Sequence, residues 1–167
     1  MPGAVIDKYL NNGFAGNFAM TPDSIIVSRA NADSAPLYFG SACQSTSDGK
    51  VTSIKATFTP DDFAGVVASA VKTNTSYPSL VNGGSYAPDE MVAVFQRGKI
   101  SVKCGYGSPS PNGEVYIRTV TNANGKIGAF DATSEALCNV LIPQLRWQNV
   151  ADTNSVATLV LLSQINA

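Results

Sequence analysis

Gly113-Glu114-Val115-Tyr116-Ile117-Arg118-Thr119-Val120, followed by Leu145-Arg146-Trp147 and Ala157-Thr158-Leu159-Val160-Leu161-Leu162, is the stretch that decides the fold. Each run is short and rich in β-branched, aromatic or large aliphatic residues, which suit a pleated, half-buried surface. Turn signals such as Asn124-Gly125 lie between them. The stretch predicts three strands, Val115–Val120, Leu145–Trp147 and Ala157–Leu162, and none of them carries a residue placed for chemistry.

Upstream, the same grammar repeats. Ser24–Arg29, Leu37–Ala42 and Phe63–Ala68 read as strands, separated by breakers at 31–36, 47–50 and 59–62. Between Met91 and Tyr106 apolar residues alternate with others on both sides of Arg97-Gly98-Lys99, which predicts a hairpin turning at those three residues. Two long loops are expected, Thr73–Pro88 and Gly105–Gly113, since both are rich in Gly, Pro, Ser and Asn and lack helical periodicity. Helix signals are confined to Ala4–Leu10 and to Thr133–Leu137, which opens on a capping pattern. The class is therefore all-β, a small β-barrel or sandwich with long loops and an extended N-terminal arm. Residues 1–20 are assigned to the arm and 21–167 to a single β domain.

The arm differs from the rest in texture. Val5, Ile6, Tyr9, Leu10, Phe14 and Phe18 are spaced among Gly3, Gly13, Gly16 and the pair Asn11-Asn12. Packing on its own domain is one reading of these anchors. The other is that they cover a neighbouring subunit, each large side chain contributing about 1.5–3 kcal/mol when fully buried. Trp147, the one tryptophan, is read as an anchor of the core or of an interface.

Composition narrows the function. A chain of 167 residues buries roughly 70% of its unfolded surface, enough for one core without metal or disulfide staples. Charged residues make up 14% and the net charge is -1, which gives no footprint for nucleic acid or an anionic membrane. A surface so poor in charge suits contact with protein. Cys43, Cys104 and Cys138 form an odd set whose spacing matches no zinc knuckle, and they read as reduced, mostly buried thiols. The N-terminus lacks the basic start and apolar core of a signal peptide, so synthesis in a cytoplasm is expected.

There is no histidine, which removes the usual general base, proton shuttle and transition-metal ligand. Asp61-Asp62, Asp89-Glu90 and Asp131 with Glu135 are the carboxylates left for acid–base work or calcium, and each adjoins a turn, where Asp serves the backbone. The Gly-rich segments lack the lysine and helix of a phosphate loop. No catalytic residue, cofactor site or metal site is expected.

The string Gly113–Arg118, then Gly125-Lys126-Ile127-Gly128-Ala129-Phe130, then Leu141-Ile142-Pro143-Gln144-Leu145-Arg146-Trp147 and the closing Ala157–Leu162 resembles the C-terminal half of the cement (decoration) proteins of tailed-bacteriophage capsids. Gly13-Phe14-Ala15-Gly16, Ile26-Val27-Ser28-Arg29 and Pro36-Leu37-Tyr38-Phe39-Gly40 resemble the opening of the same family. The polar loop at 76–88 and the three cysteines depart from its usual pattern. The resemblance implies a small β-barrel-like protein on the outer capsid surface of a virion, made in a bacterial host cytoplasm. It also implies that the protein is a homotrimer at local three-fold positions and that its partners are the major capsid protein and itself, while the low charge already argues against nucleic acid or a membrane as a partner. Two other readings make distinct demands. A carbohydrate- or small-ligand-binding module needs an exposed aromatic platform, for which Tyr77, Tyr86 and Tyr106 are available. An enzyme needs two carboxylates converging in a cleft.

Overall fold

The computed structural model describes residues 15, 16, 18–70 and 84–162, with the backbone alone at 18–22. Eleven strands follow in order: β1 (Phe18–Ala30), β2 (Leu37–Tyr38), β3 (Ala42–Ser45), β4 (Val51–Ser53), β5 (Phe63–Val67), β6 (Ser85–Tyr86), β7 (Met91–Lys103), β8 (Glu114–Arg118), β9 (Phe130–Asp131), β10 (Asn139–Trp147) and β11 (Val156–Leu161). The only helical element among the described residues is one 3-10 turn at Pro60–Asp62. The expected all-β class is what the chain adopts, as a strongly curled half-barrel. Nine strands form one sheet in the order β4-β3-β5-β7-β11-β10-β8-β9, with β1 joined to β7, and β2 pairs with β6 apart from it.

β7 is the trunk. Phe95 pairs with Ile26 of β1 and with Val66 of β5, so those two strands must lie on opposite edges of β7. Ile100 pairs with β1 at Phe18 and with Leu159 of β11, which puts β11 on the same edge as β5. One edge of β7 thus serves β1 along its length, and the other is shared by β5 and then β11. The sheet forks at the centre of this strand and curls.

That geometry corrects the hairpin expected at Arg97-Gly98-Lys99, because Met91–Lys103 is a single strand of 13 residues. Partners distant in sequence hold it straight through the supposed turn, Arg97 pairing with Ile25, Gly98 with Leu161 and Lys99 with Val160. Gly98 is a bend at φ +112, and a Cβ there would stand 2.2 Å from the Asp23 carbonyl oxygen. Glycine is required for close approach of two backbones rather than for a reversal.

Two further expectations change. The run Leu37–Ala42 splits into the end of β2 and the start of β3, because a turn at Phe39-Gly40 brings Gly40 (φ +74) against Ala15 and Gly16. Thr133–Leu137 forms no helix. Asn139 Oδ1 accepts the Glu135 N–H at 2.8 Å, and Leu137 sits at φ +62, outside helical space. The strand limits shift slightly, with β10 starting six residues before Leu145. The Ala4–Leu10 helix signal and most of the Thr73–Pro88 loop lie outside the described residues.

Two cores result. The larger gathers Phe63, Phe95, Ile100, Ile117, Phe130, Ile142, Leu145, Trp147 and Leu159 inside the curl. In it the cross-strand row Ile100, Leu159, Trp147 is closed to solvent, while the adjacent row Lys99, Val160, Arg146 is not. This is the period-2 alternation of a sheet with one face on a core. The smaller core joins Leu37, Cys43, Val51, Ala64, Val67, Tyr86, Val92 and Val94. β5 is buried at all five positions because its two faces serve different cores.

Candidate functional site

The anchors named from the sequence fall in two places. Val5, Ile6, Tyr9, Leu10 and Phe14 lie outside the described residues. Phe18 begins β1, its backbone paired with Ile100, and the chain is tied down just before it: the Gly16 N–H donates to the Ser101 carbonyl (2.9 Å), and the Gly16 carbonyl accepts from Ser69 (2.8 Å). Residues 18–20, counted with the arm, therefore already pair in the sheet. Trp147 is 1% exposed within the larger core of its own chain.

The most charged interior feature lies where β8, β9 and the turn before β10 meet. Arg118 is completely buried, with Nη2 2.8 Å from Asp131 and 2.7 Å from Glu135. Its Nη1 donates to Asn122 Oδ1 at 2.7 Å, and the Tyr106 ring lies under the guanidinium with 5.7 Å to its centroid. Asn139 donates to Asp131 at 3.0 Å, while Asn122 and Asn124 donate to Glu135 at 2.8 and 3.1 Å. Burial opposes the charge on Arg118, but Glu135 and Asp131 outweigh it and hold its pKa above the ordinary value. Burial pushes the Asp131 carboxyl up against the pull of Asn139 and Arg118, whereas Glu135 is held down by the Arg118 hydrogen bond. Both carboxylates are consumed in holding one cation. The cluster pins the loop 119–138 to the barrel rather than presenting an acid and a base to solvent.

One carboxylate of each other candidate pair serves the local backbone. Asp62 accepts from the N–H and hydroxyl of Thr59, and Glu90 accepts from the Ala87 N–H. The three thiols are free, with Cys43 and Cys104 buried and Cys138 half-buried. Burial pushes Cys43 up to about 12 and Cys104 to about 11, the reverse of an activated nucleophile. Among the described residues no group of three His, Cys, Asp or Glu is placed to hold a metal, and no helix is long and apolar enough to cross a membrane. Of the tyrosines proposed as a sugar platform, Tyr86 is 3% exposed with its ring edge-on to Phe39, Tyr106 is engaged with Arg118, and Tyr77 is outside the described residues.

The surface also carries exposed apolar side chains. Leu137 is 96% exposed on the turn that Glu135 and Asn139 hold, next to Val120, whose N–H reaches the Cys138 carbonyl. Ile26 and Met91 are exposed along the β1/β7 pair. Sequence reading missed Leu137 because it assigned the residue to a helix. The usable signal was the set Arg118, Asn122, Asp131 and Glu135, which marks a pinned loop.

Three comparisons bear on this geometry. A family model described as structural cement protein (E217 gp24/Pam3 gp6) matches residues 2–162. A solved structure from the capsid of Myoviridae phage XM1 superposes with a TM-score of 0.71 at 16% identity, covering 96% of this chain and 98% of that one. At that identity the likeness is one of fold. No curated protein sequence matches.

Proposed function

The chain belongs to the structural cement protein family of phages, and from that premise we propose that it binds the outer face of a capsid and clamps neighbouring major capsid proteins. Its role is structural and its place is the virion capsid. The observation that carries the reading is the family match across nearly the whole chain, residues 2–162. The carboxylates of Asp62, Glu90, Asp131 and Glu135, the buried thiols of Cys43 and Cys104, and the rings of Tyr86 and Tyr106 support it, since each of these groups is engaged within the fold.

A homotrimer at local three-fold positions, with the part of residues 1–20 that precedes Gly16 contributing the arm, is the finer form of the proposal. Three modest footprints on one rigid body act together, and a shell under internal pressure gains from any bridge that must be broken at several points at once. A rigid β scaffold loses little conformational entropy on docking, which lowers the ordering cost of binding. Val5, Ile6, Tyr9, Leu10 and Phe14 are the apolar anchors of that arm, and Trp147 fills the body it is attached to.

The test is deletion of residues 2–14, which leaves Gly16 and its bonds to Ser101 and Ser69 in place. The truncated protein is expected to fold and to bind shells at least ten-fold more weakly. Undiminished binding refutes the arm.

A further inference from the structure

β1 is the longest strand in the sheet that has a neighbour on one edge only. The pairs Ile25 with Arg97, Val27 with Val94 and Arg29 with Val92, together with the Asn31 N–H on the Glu90 carbonyl (2.9 Å), turn the odd-numbered backbone groups of β1 toward β7. The opposite edge of β7 confirms the phase, because the Ala93 carbonyl accepts from Ala68 there (2.8 Å). The N–H and C=O groups of Ser24, Ile26 and Ser28 therefore face outward, and no strand among the described residues pairs with them. Natural edges of this length are ordinarily blunted by lysine, proline or a covering loop. Pro22 bounds the open edge at one end and the Asn31–Val51 bridge at the other; between them Ser24–Ser28 carries no lysine or proline, no strand among the described residues covers it, and Ile26 at its centre is 42% exposed.

The sequence of this edge is complementary to itself. Asp23-Ser24-Ile25-Ile26-Val27-Ser28-Arg29, laid antiparallel against its own copy about Ile26, sets Asp23 opposite Arg29, Ser24 opposite Ser28, Ile25 opposite Val27 and Ile26 opposite Ile26. This register matches even-numbered residues with even-numbered ones, the set whose backbone groups face outward, so every pair that needs hydrogen bonds has them available. The charges at its ends are ready for such a partner. Asp23 has a side chain 71% exposed and only a solvent-exposed ion pair to Arg97 at 3.3 Å. Arg29 gives one Nη–H to the Gly49 carbonyl and meets no carboxylate among the described residues.

We infer that the outer edge of β1 is an interface between two copies of this chain, which join their β1 strands antiparallel about a two-fold axis at Ile26. The occupant is a second copy because strand, charge and hydrogen-bond phase all satisfy one two-fold register, as an isologous contact requires. The contact does not rest on the trimer proposed above. If both form, it links copies belonging to neighbouring trimers.

Cysteine cross-linking reads the register directly. Paired residues on hydrogen-bonded positions have Cα atoms about 5.5 Å apart, within the range a disulfide spans. In a Cys138→Ser background at about 100 µM free protein, Ile26→Cys is expected to form a disulfide dimer under copper–phenanthroline at least ten-fold faster than Ser28→Cys, whose two copies would stand four residues out of register. A mixture of Ser24→Cys and Ser28→Cys chains is expected to form the mixed dimer preferentially, and it carries the test if Ile26→Cys misfolds. Ile26→Cys reacting no faster than Ser28→Cys, with no preference in the mixture, overturns the inference. Shell binding without this cross-link overturns the two-fold contact alone, and the cross-link without shell binding overturns the proposed function alone.

Discussion

Replacing Arg118 by methionine removes the cation from a closed pocket and leaves Asp131, fully buried, with no opposite charge. Breaking a buried pair by deleting one partner costs about 3–5 kcal/mol, against a total stability of about 5–15 kcal/mol for a domain. In a chain of this length each kcal/mol lowers Tm by about 2–4 °C, so a fall of about 6–20 °C is expected. The deficit carries a pH signature. Asp131 is already pushed up by burial and loses the guanidinium that opposed this, so in Arg118→Met its folded pKa rises further above the unfolded value of about 4. A raised carboxyl pKa costs stability above the folded value and costs nothing below the unfolded one. Urea unfolding at pH 7.5 and pH 4.5 should therefore show a large deficit at the first and a smaller one at the second. The double variant Arg118→Met/Asp131→Leu should recover most of the loss at pH 7.5, since it buries no lone charge. A deficit under about 1 kcal/mol, or one equal at both pH values, would mean the cluster is solvated and the reasoning is wrong.

Gly98→Ala places a Cβ against the Asp23 carbonyl at φ +112, and should cost at least about 2 kcal/mol in thermal unfolding; an unchanged Tm would show that β7 does not bend there. In native protein at pH 8 a thiol reagent should label Cys138 alone, because Cys43 and Cys104 sit near 12 and 11, and all three should react in urea; rapid labelling of two or three in the folded state contradicts the burial. Asp33 is pushed up by burial but held below the ordinary value by hydrogen bonds from Ser53 and Lys55, so its contribution exists above about pH 4 and is lost as acid protonates it. Asp33→Asn should thus flatten the acid limb of the stability profile, and an identical limb in both proteins would remove Asp33 from it.

The parts of the fold that were legible were local ones. Val115–Arg118, Phe63–Val67 and Val156–Leu161 are strands whose residues favour a pleat wherever they pair. Arg97-Gly98-Lys99 was misread because a polar triplet with glycine is a turn in isolation and a bend when β1 and β11 grip both edges, and those partners lie far away in sequence. Thr133–Leu137 failed for a related reason: Glu135 was needed by a buried arginine 17 positions earlier rather than by a helix terminus. Of the charged cluster, Asp131 and Glu135 stood out in the sequence as a carboxylate pair, but their partner Arg118 did not, because it lies 13 and 17 positions earlier. The exposed apolar positions, Ile26 and Leu137, were hidden, since the alternation of a sequence gives no sign of which edge or turn a fold leaves open.

The central claim is that this protein acts by binding a capsid. Purified protein mixed with shells from which the cement protein has been stripped should cosediment saturably, at a fixed number of copies per shell, and should raise the temperature at which the shells rupture. Protein that stays in the supernatant at every concentration, with the rupture temperature unmoved, would contradict the account.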